Sequence, residues 1–519
     1  MKTIKYIVAI FFFTSVLTSC EKEFLEVLPR GQVIAKSTAD FRKLLDYVDN
    51  SRYSYSLSLT MSFVDLLTDN VYFDSVKWNT YTTTTEHIKN LYVFKNTIWT
   101  YEAPTFTNEV NWNNQYYIVS LCSSILSEIV KATDNAQLQK QLIAETKVHR
   151  AYAYLLLVNL YAPVYNESNA ANTLGVPIIN NPAALPPLVR SSVKDVYTLI
   201  ISQLEEAVPD LPDDVNQFKH RPAKVSAYAI LARAYLYMGN YAKALEYSNK
   251  ALLIRNYLYD YNTIFTGTVD FYSNLIGVSR NTDEETLLWK AYAKNANTTP
   301  TNSYHILDTM SFNKLYPDFT KNPDGSFITK DLRRTLKFNA IALNRKITAK
   351  TATYVFDFYN YRYKTDGSTG GSACHVPIQT AEMYLTRAEC NARDGKLQEA
   401  LNDINAICMK RYKTGTFTAL TPTDFQNNKD KVLERVLLER RRELFGRDLR
   451  LFDLKRLNQP FSHNLGSLRI EVPANDPRLV WPIFKPYIDM NSELEQNERS
   501  ITGVKYFNSL GVEVPITDN

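Results

Sequence analysis

Hydrophobic and polar positions alternate along this chain in more than one rhythm. Residues 7–13 run Ile-Val-Ala-Ile-Phe-Phe-Phe without a polar break. That run is too short for a bilayer, which needs about 20 apolar residues. From residue 142 the rhythm becomes helical, with Ala144, Val148, Ala151, Tyr152 and Leu155 on one face of 142–160. In 222–238, Tyr228, Leu231, Ala232 and Tyr235 stand at i, i+3, i+4 and i+7, the spacing of a buried helical stripe. Gly239-Asn240 breaks that helix, and 241–253 starts another with Ala244 and Ala251 turned back. An aromatic, Leu, a small residue, Tyr and Ala at these spacings make the helix pair of a tetratricopeptide repeat, which needs small residues where its helices approach closely. Ser248 departs from the pattern. A second pair follows the same plan. Tyr384, Leu385, Ala388 and Ala392 line its first helix, Asp394-Gly395 turns, and Leu397, Ala400, Leu401, Ile404 and Ile407 line the return.

The remaining stretches are less regular. A helix is expected at 40–48 with Asp40 as its N-cap, and another at 113–131. Residues 70–111, rich in Thr, Asn and aromatics, read as loops and short irregular pieces. The segment 162–191 carries five prolines, and 294–308 is polar. Residues 353–363 alternate like a strand, 367–372 form a Gly/Ser loop, and 473–497 reads as extended and Pro-rich. The predicted fold class is therefore mostly α: tetratricopeptide-like helix pairs form a scaffold with long loop-rich insertions and a few short strands. Two units more than a hundred residues apart argue against one continuous solenoid.

The N-terminus sets the compartment. Lys2 and Lys5 precede the apolar run, and Leu17-Thr18-Ser19-Cys20 follows it. Small residues before a cysteine suit a lipoprotein signal peptidase, and the Cys20 thiol would accept diacylglycerol. Residues 1–19 are thus expected to be a signal peptide, with Cys20 lipidated. At roughly 0.8 kcal/mol per buried methylene, two or three acyl chains make a durable anchor. No later apolar run reaches spanning length.

Composition removes several function classes. The formal charge is +5, two units of it from Lys2 and Lys5, and no basic run is interleaved with stacking aromatics, so nucleic acid is not an expected partner. Cys122, Cys374, Cys390 and Cys408 are too few for a disulfide framework in so long a chain. The six histidines have no ligand spacing beyond the adjacent Cys374-His375, and no phosphate loop or nucleophile elbow occurs. No cofactor or metal is expected. The densest charges lie at 435–456, where Arg435–Glu439 and Glu443–Arg447 stand at i, i+4 and Asp453 can reach Arg450 or Arg456. Guanidinium groups outnumber the carboxylates there and would hold them ionised, so a salt-bridged scaffold is the better reading than an acid/base pair.

These segments together resemble the SusD/RagB family. The lipobox, Phe24-Leu25 with Pro29, Arg150-Ala151-Tyr152-Ala153-Tyr154 leading to Tyr161-Ala162-Pro163, and the repeat at 225–251 are similar to its N-terminal half. Residues 381–389 with Ala392-Arg393-Asp394-Gly395, Glu439–Leu444 with Arg450, and Asp453-Leu454-Lys455-Arg456 are similar to its C-terminal half. Trp481-Pro482-Ile483 with Gln496-Asn497 resembles the closing motif, although Phe484-Lys485 and Glu498 depart from it. The resemblance implies a lipid-anchored outer-membrane protein, facing outward, that captures oligosaccharides. It would deliver them to a SusC-type TonB-dependent transporter barrel without transforming them. It also implies halves at 20–270 and 271–519 packed as one unit, with the motifs above in the scaffold. A peptide-capture protein of the same build is the alternative.

Sugars present apolar C–H faces and hydroxyls, so their site needs aromatic platforms beside amides, carboxylates and cations. Asp69, Asn70, Lys77, Trp78 and Tyr81 supply both in a stretch of poor regularity, and relatives often line their site with the corresponding stretch. Tyr304, beside His305 in another polar insertion, is the second candidate. Thirty-five Tyr and 25 Phe serve mainly packing, and Trp112, placed before a helix, is read as structural.

Overall fold

The structure, a computed structural model, describes residues 35–47, 56–61, 64–73, 78, 86–99, 109–180, 188–264, 283–292, 309–321, 327–336, 338–339, 357–358 and 377–515. Its first helix, α1 (Thr38–Leu45), begins two residues before the predicted one. Ser37 is the N-cap, accepting from the Asp40 amide, and the Asp40 carboxylate reaches back to the Ser37 amide. Asp40 is therefore the third helical residue, the reciprocal partner in a capping box, rather than the cap. The segment 70–111 contains a short helix, α2 (Glu86–Tyr92). Next come α3 (Val110–Glu128), extended by a 3₁₀ turn at Ile129–Lys131, and α4 (Ala136–Tyr161). Trp112 sits inside the first turn of α3, not ahead of it, because Glu109 caps the helix through the Asn111 and Trp112 amides.

The helix α5 (Val193–Ala207) leads to the first repeat pair, α6 (Lys224–Tyr237) and α7 (Tyr241–Ile254). The second pair is α8 (Thr380–Arg393) and α9 (Leu397–Arg411), followed by α10 (Lys429–Glu443) and α11 (Arg450–Arg456). Gly239 and Gly395 occupy the two turns at φ +74° and +78°, a conformation open to glycine at little cost. Ser248 fits its tight site because it is fully buried with its hydroxyl bonded to Leu245 O at 3.0 Å.

The two pairs, distant in sequence, form one scaffold as expected: helix α8 packs directly on α7, and α10 on α8 and α9. On the other side α3, α4 and α5 pack in succession. One buried cluster runs through all of these helices. The small sheet near the C-terminus is antiparallel: β1 (Phe461–Leu465), β2 (Leu468–Val472) and β3 (Lys505–Phe507), with β2 central. The stretch 473–497 is not extended throughout, since α12 (Lys485–Met490) starts with Pro486 in its first turn, where proline suits a helix. Within 353–363 only Asp357–Phe358 is described, as a strand paired with Phe338–Asn339. The segments 294–308 and 367–372 lie outside the described residues.

Candidate functional site

The residues singled out for sugar binding divide into two groups. Asp69 and Asn70 follow a 3₁₀ turn at Val64–Leu67 and point inward. Asp69 accepts Arg450 Nε at 2.8 Å and Nη2 at 3.0 Å, and its Oδ2 lies 2.9 Å from Arg441 Nη1. Burial pushes the Asp69 carboxyl up, but the two guanidinium groups outweigh it and hold it well below the usual range. Asn70 is 2% exposed, and its Oδ1 faces Arg441. Both residues thus spend their polar atoms tying this segment to α10 and α11.

Trp78 is placed differently. It is half-buried at the outer end of an aromatic wall. Its ring lies 5.9 Å from Phe73, edge to face at 70°, and 6.1 Å from Tyr92. Behind it Tyr92 stacks on His463 at 4.1 Å and 11°, and His463 lies 5.5 Å from Phe94. The hydroxyl of Tyr92 is within reach of Val71 O and Asn464 O, and the His463 nitrogens lie 3.0 Å from Thr68 O and Tyr92 O. Burial pushes the His463 imidazole down to about 4. These bonds fix the wall to β1, so Trp78 rests on a rigid backing. Lys89 of α2 holds its ammonium 5.3 Å from the Trp78 ring centre, close enough for a cation–π contact. A half-open indole beside a cation can stack on a sugar ring and bond its hydroxyls.

Sequence reasoning passed over Trp99, the second half-buried tryptophan, whose ring meets Phe484 edge to face at 5.2 Å. The other three tryptophans, Trp112, Trp289 and Trp481, are at most 5% exposed. Both partly open indoles therefore fall in the poorly patterned segment between the scaffold helices, and that irregularity was the available signal. Lys77, Tyr81, Tyr304, His305 and Cys20 lie outside the described residues.

The charged segment at 435–456 is scaffold. Arg435 meets Glu439 at 2.6 Å as its spacing predicts, whereas Arg450 turns to Asp69 and Glu443 receives Arg333 and Arg411. Asp453 is shared by Arg440 and Arg456, and Arg456 also grips Glu389. Lys455 Nζ donates to Asn159 O at 2.7 Å and Ala162 O at 2.9 Å. Arg190 and Asn497 bond Tyr161 O. The last carbonyls of α4 are thus satisfied by side chains from far along the chain. A cleft lined by Thr60, Tyr152, Arg233, Gln379 and Arg447 admits little more than a water molecule, too little for a sugar.

Two family models match this chain. One, described as starch-binding associating with outer membrane, matches residues 23–236, and the other, described as the SusD family, matches 338–500. The chain belongs to the SusD family. Among relatives of this family, the SusD-like protein P2 of Formosa agariphila is 23% identical over 426 residues, covering 74% of this chain and 79% of its own. A putative sugar-binding protein from Bacteroides vulgatus has the same fold, with TM-score 0.66, 20% identity and coverage of 91% of this chain and 100% of its own. A SusD superfamily protein from Bacteroides fragilis matches equally well at TM-score 0.66 and 20% identity, over 89% of this chain and 100% of its own. The arginine and lysine contacts above show what the SusD-like motifs at 439–456 and 496–497 do here: they close the scaffold. No helix among the described residues is long and apolar enough to cross a membrane.

Proposed function

We propose that this SusD-family chain captures oligosaccharides at the outer cell surface, anchored by lipid on Cys20, and passes them to a SusC-type TonB-dependent barrel without altering them. The observation that carries the reading is Trp78, half-open on a rigid aromatic wall in a chain whose N-terminal family model is described as starch-binding. Stacking on an indole removes the apolar face of a sugar from water and aligns its C–H bonds with the ring. The proposed ligand set is Trp78 with Lys77, Tyr81 and Tyr304. Asp69 and Asn70 support the site from behind through Arg441 and Arg450 rather than touching the sugar. The buried carboxylates described above are held by guanidinium groups, which suits binding better than proton transfer.

Titration of purified mature protein with a panel of oligosaccharides tests the reading. Saturable binding is expected, with every chain length unchanged in mass spectra after long incubation. Reproducible cleavage lost on a single substitution would move the chain to an enzyme class, and tight binding of peptides with no response to glycans would favour peptide capture.

A further inference from the structure

Two strands far apart in sequence are clasped over a buried cation. Leu59–Thr60 and Ala291–Tyr292 pair in parallel, Leu59 opposite Ala291 and Thr60 opposite Tyr292. So short a pair has little hold of its own. Lys290, just before the second strand, supplies the rest. It is 1% exposed, and its Nζ donates to Leu57 O at 2.8 Å. The same Nζ lies 3.3 Å from Nδ1 of His149, equally buried in α4, and 4.8 Å from the centre of the Tyr152 ring. One side chain thus ties together residues 56–61, residues 283–292 and α4.

Among the described residues, no carboxylate bonds Lys290 or His149. Glu145, one turn earlier on α4, is taken up by Arg42 of α1. Asp46, at the end of α1, is taken up by Arg221 and His220. Arg42 and His220 also face His149, adding positive or protonable groups on that side. Cys122 of α3 faces Lys290, and burial pushes its thiol up to about 12, so it stays neutral.

The contact has room for one proton and not for two. An ammonium at Lys290 can bond His149 only while Nδ1 keeps its lone pair, which a protonated imidazole lacks. Burial and the facing ammonium push the His149 imidazole well below its ordinary value, and burial pulls Lys290 down to about 7. A second proton sets two cations side by side away from water, where uncompensated charge is expensive.

We propose that the Lys290–His149 contact is an acid-opened clasp: when His149 takes a proton the bond is lost, the two strands part, and residues 56–61 and 283–292 come away from α4. The first of these segments runs on through the 3₁₀ turn at Val64–Leu67 to Asp69 and Trp78, so an open clasp frees the chain that leads to the aromatic wall. It works in this way whether or not Trp78 stacks on a sugar. The direction in pH follows from His149. Its folded-state value lies below the ordinary 6.5, so the unfolded chain takes the proton first and the hold weakens as pH falls below about 6.5. The cost of burying Lys290 is complete below about 7 and does not change in that window.

The test follows amide hydrogen exchange in the full mature chain from about pH 7.5 to about pH 5 by mass spectrometry. Once the intrinsic pH dependence of exchange is removed, residues 56–61 and 283–292 should lose protection several-fold in acid while α6 and α7 keep theirs. Exchange at the imidazole Cε1–H reads the titration of each histidine, and the His149 midpoint should coincide with the opening. His87 and His463 are also buried and pushed down to about 4, so variants must separate them from His149. His149→Asn keeps an acceptor near Nδ1 that takes no proton, and Lys290→Met removes the facing cation. Each should remove the acid response of the two segments. Unchanged protection there in the wild type, a loss shared by the whole fold, or a His149→Asn protein that opens as the wild type does overturns the proposal. Where a variant fails to fold, the unmodified protein decides the matter, because a His149 midpoint at or above the ordinary 6.5 rules the clasp out.

Discussion

Replacing Trp78 by alanine separates what this residue does for the fold from what it does for a ligand. A fully buried tryptophan loses about 3–5 kcal/mol on truncation to alanine. Trp78 is half-buried and gives up its edge contacts with Phe73 and Tyr92, so about 2 kcal/mol of stability is the expected loss. The chain sequence alone would put this figure lower, because a tryptophan in a loop has little to lose on folding. A stacked sugar should lose about 1–3 kcal/mol, or roughly ten- to a hundredfold in affinity, by analogy with other stacking platforms. Calorimetric titration with a bound oligosaccharide measures the second quantity and a urea melt the first. Tyr235→Ala is the control. Tyr235 stacks on Tyr247 at 5.6 Å and 4° in the repeat, so that variant should melt earlier and bind as before. A Trp78→Ala protein that melts lower while keeping its affinity would refute the reasoning and shift the search to Tyr304.

Cys20→Ala should abolish acyl labelling and release the protein from membranes, and palmitate label surviving the substitution would defeat the lipid anchor. Lys455→Met should lower stability by about 2–4 kcal/mol in a denaturant melt, since two buried carbonyls lose a charge-assisted donor; a change under half a unit would mean that the α4 cap matters little. Asp69 has a folded-state pKa below its ordinary 3.8, so its contribution is present above pH ~4 and lost as pH falls below that. The stability gap between wild type and Asp69→Asn should therefore shrink on acidification from pH 5 to pH 2, and a gap constant over that range would show that the ion pairs with Arg441 and Arg450 contribute nothing.

The helix pairs were legible because their stripe repeats within a few residues and each turn carries a glycine at positive φ. Helix α2 was not, since only Ile88, Leu91 and Tyr92 supply an apolar face in seven residues. Trp78 was legible as an aromatic without a helical stripe to join. Asp69 and Asn70 looked like sugar ligands for the same reason, and their engagement could not be read because Arg441 and Arg450 lie more than 370 residues away. Charge pairs at i, i+4 were predictable in the same measure: Arg435–Glu439 forms, while Arg450 is drawn off by a partner that proximity in sequence does not show.

The C-terminal end of α4 also bears on when this protein can become itself. Lys455 and Asn497 bond its last carbonyls, and the Trp481 amide bonds Leu160 O at 2.9 Å. A chain emerging from its N-terminus therefore makes the longest helix of its core some three hundred residues before the groups that finish it arrive. Until then only Tyr161 O has a side-chain partner, in Arg190, while the carbonyls of Asn159, Leu160 and Ala162 wait for Lys455 and Trp481, and a chain cut short before residue 455 never supplies those partners. Completion of the last segment acts as a length check, in which only a whole chain reaches the packed state and a truncated one stays open to proteases.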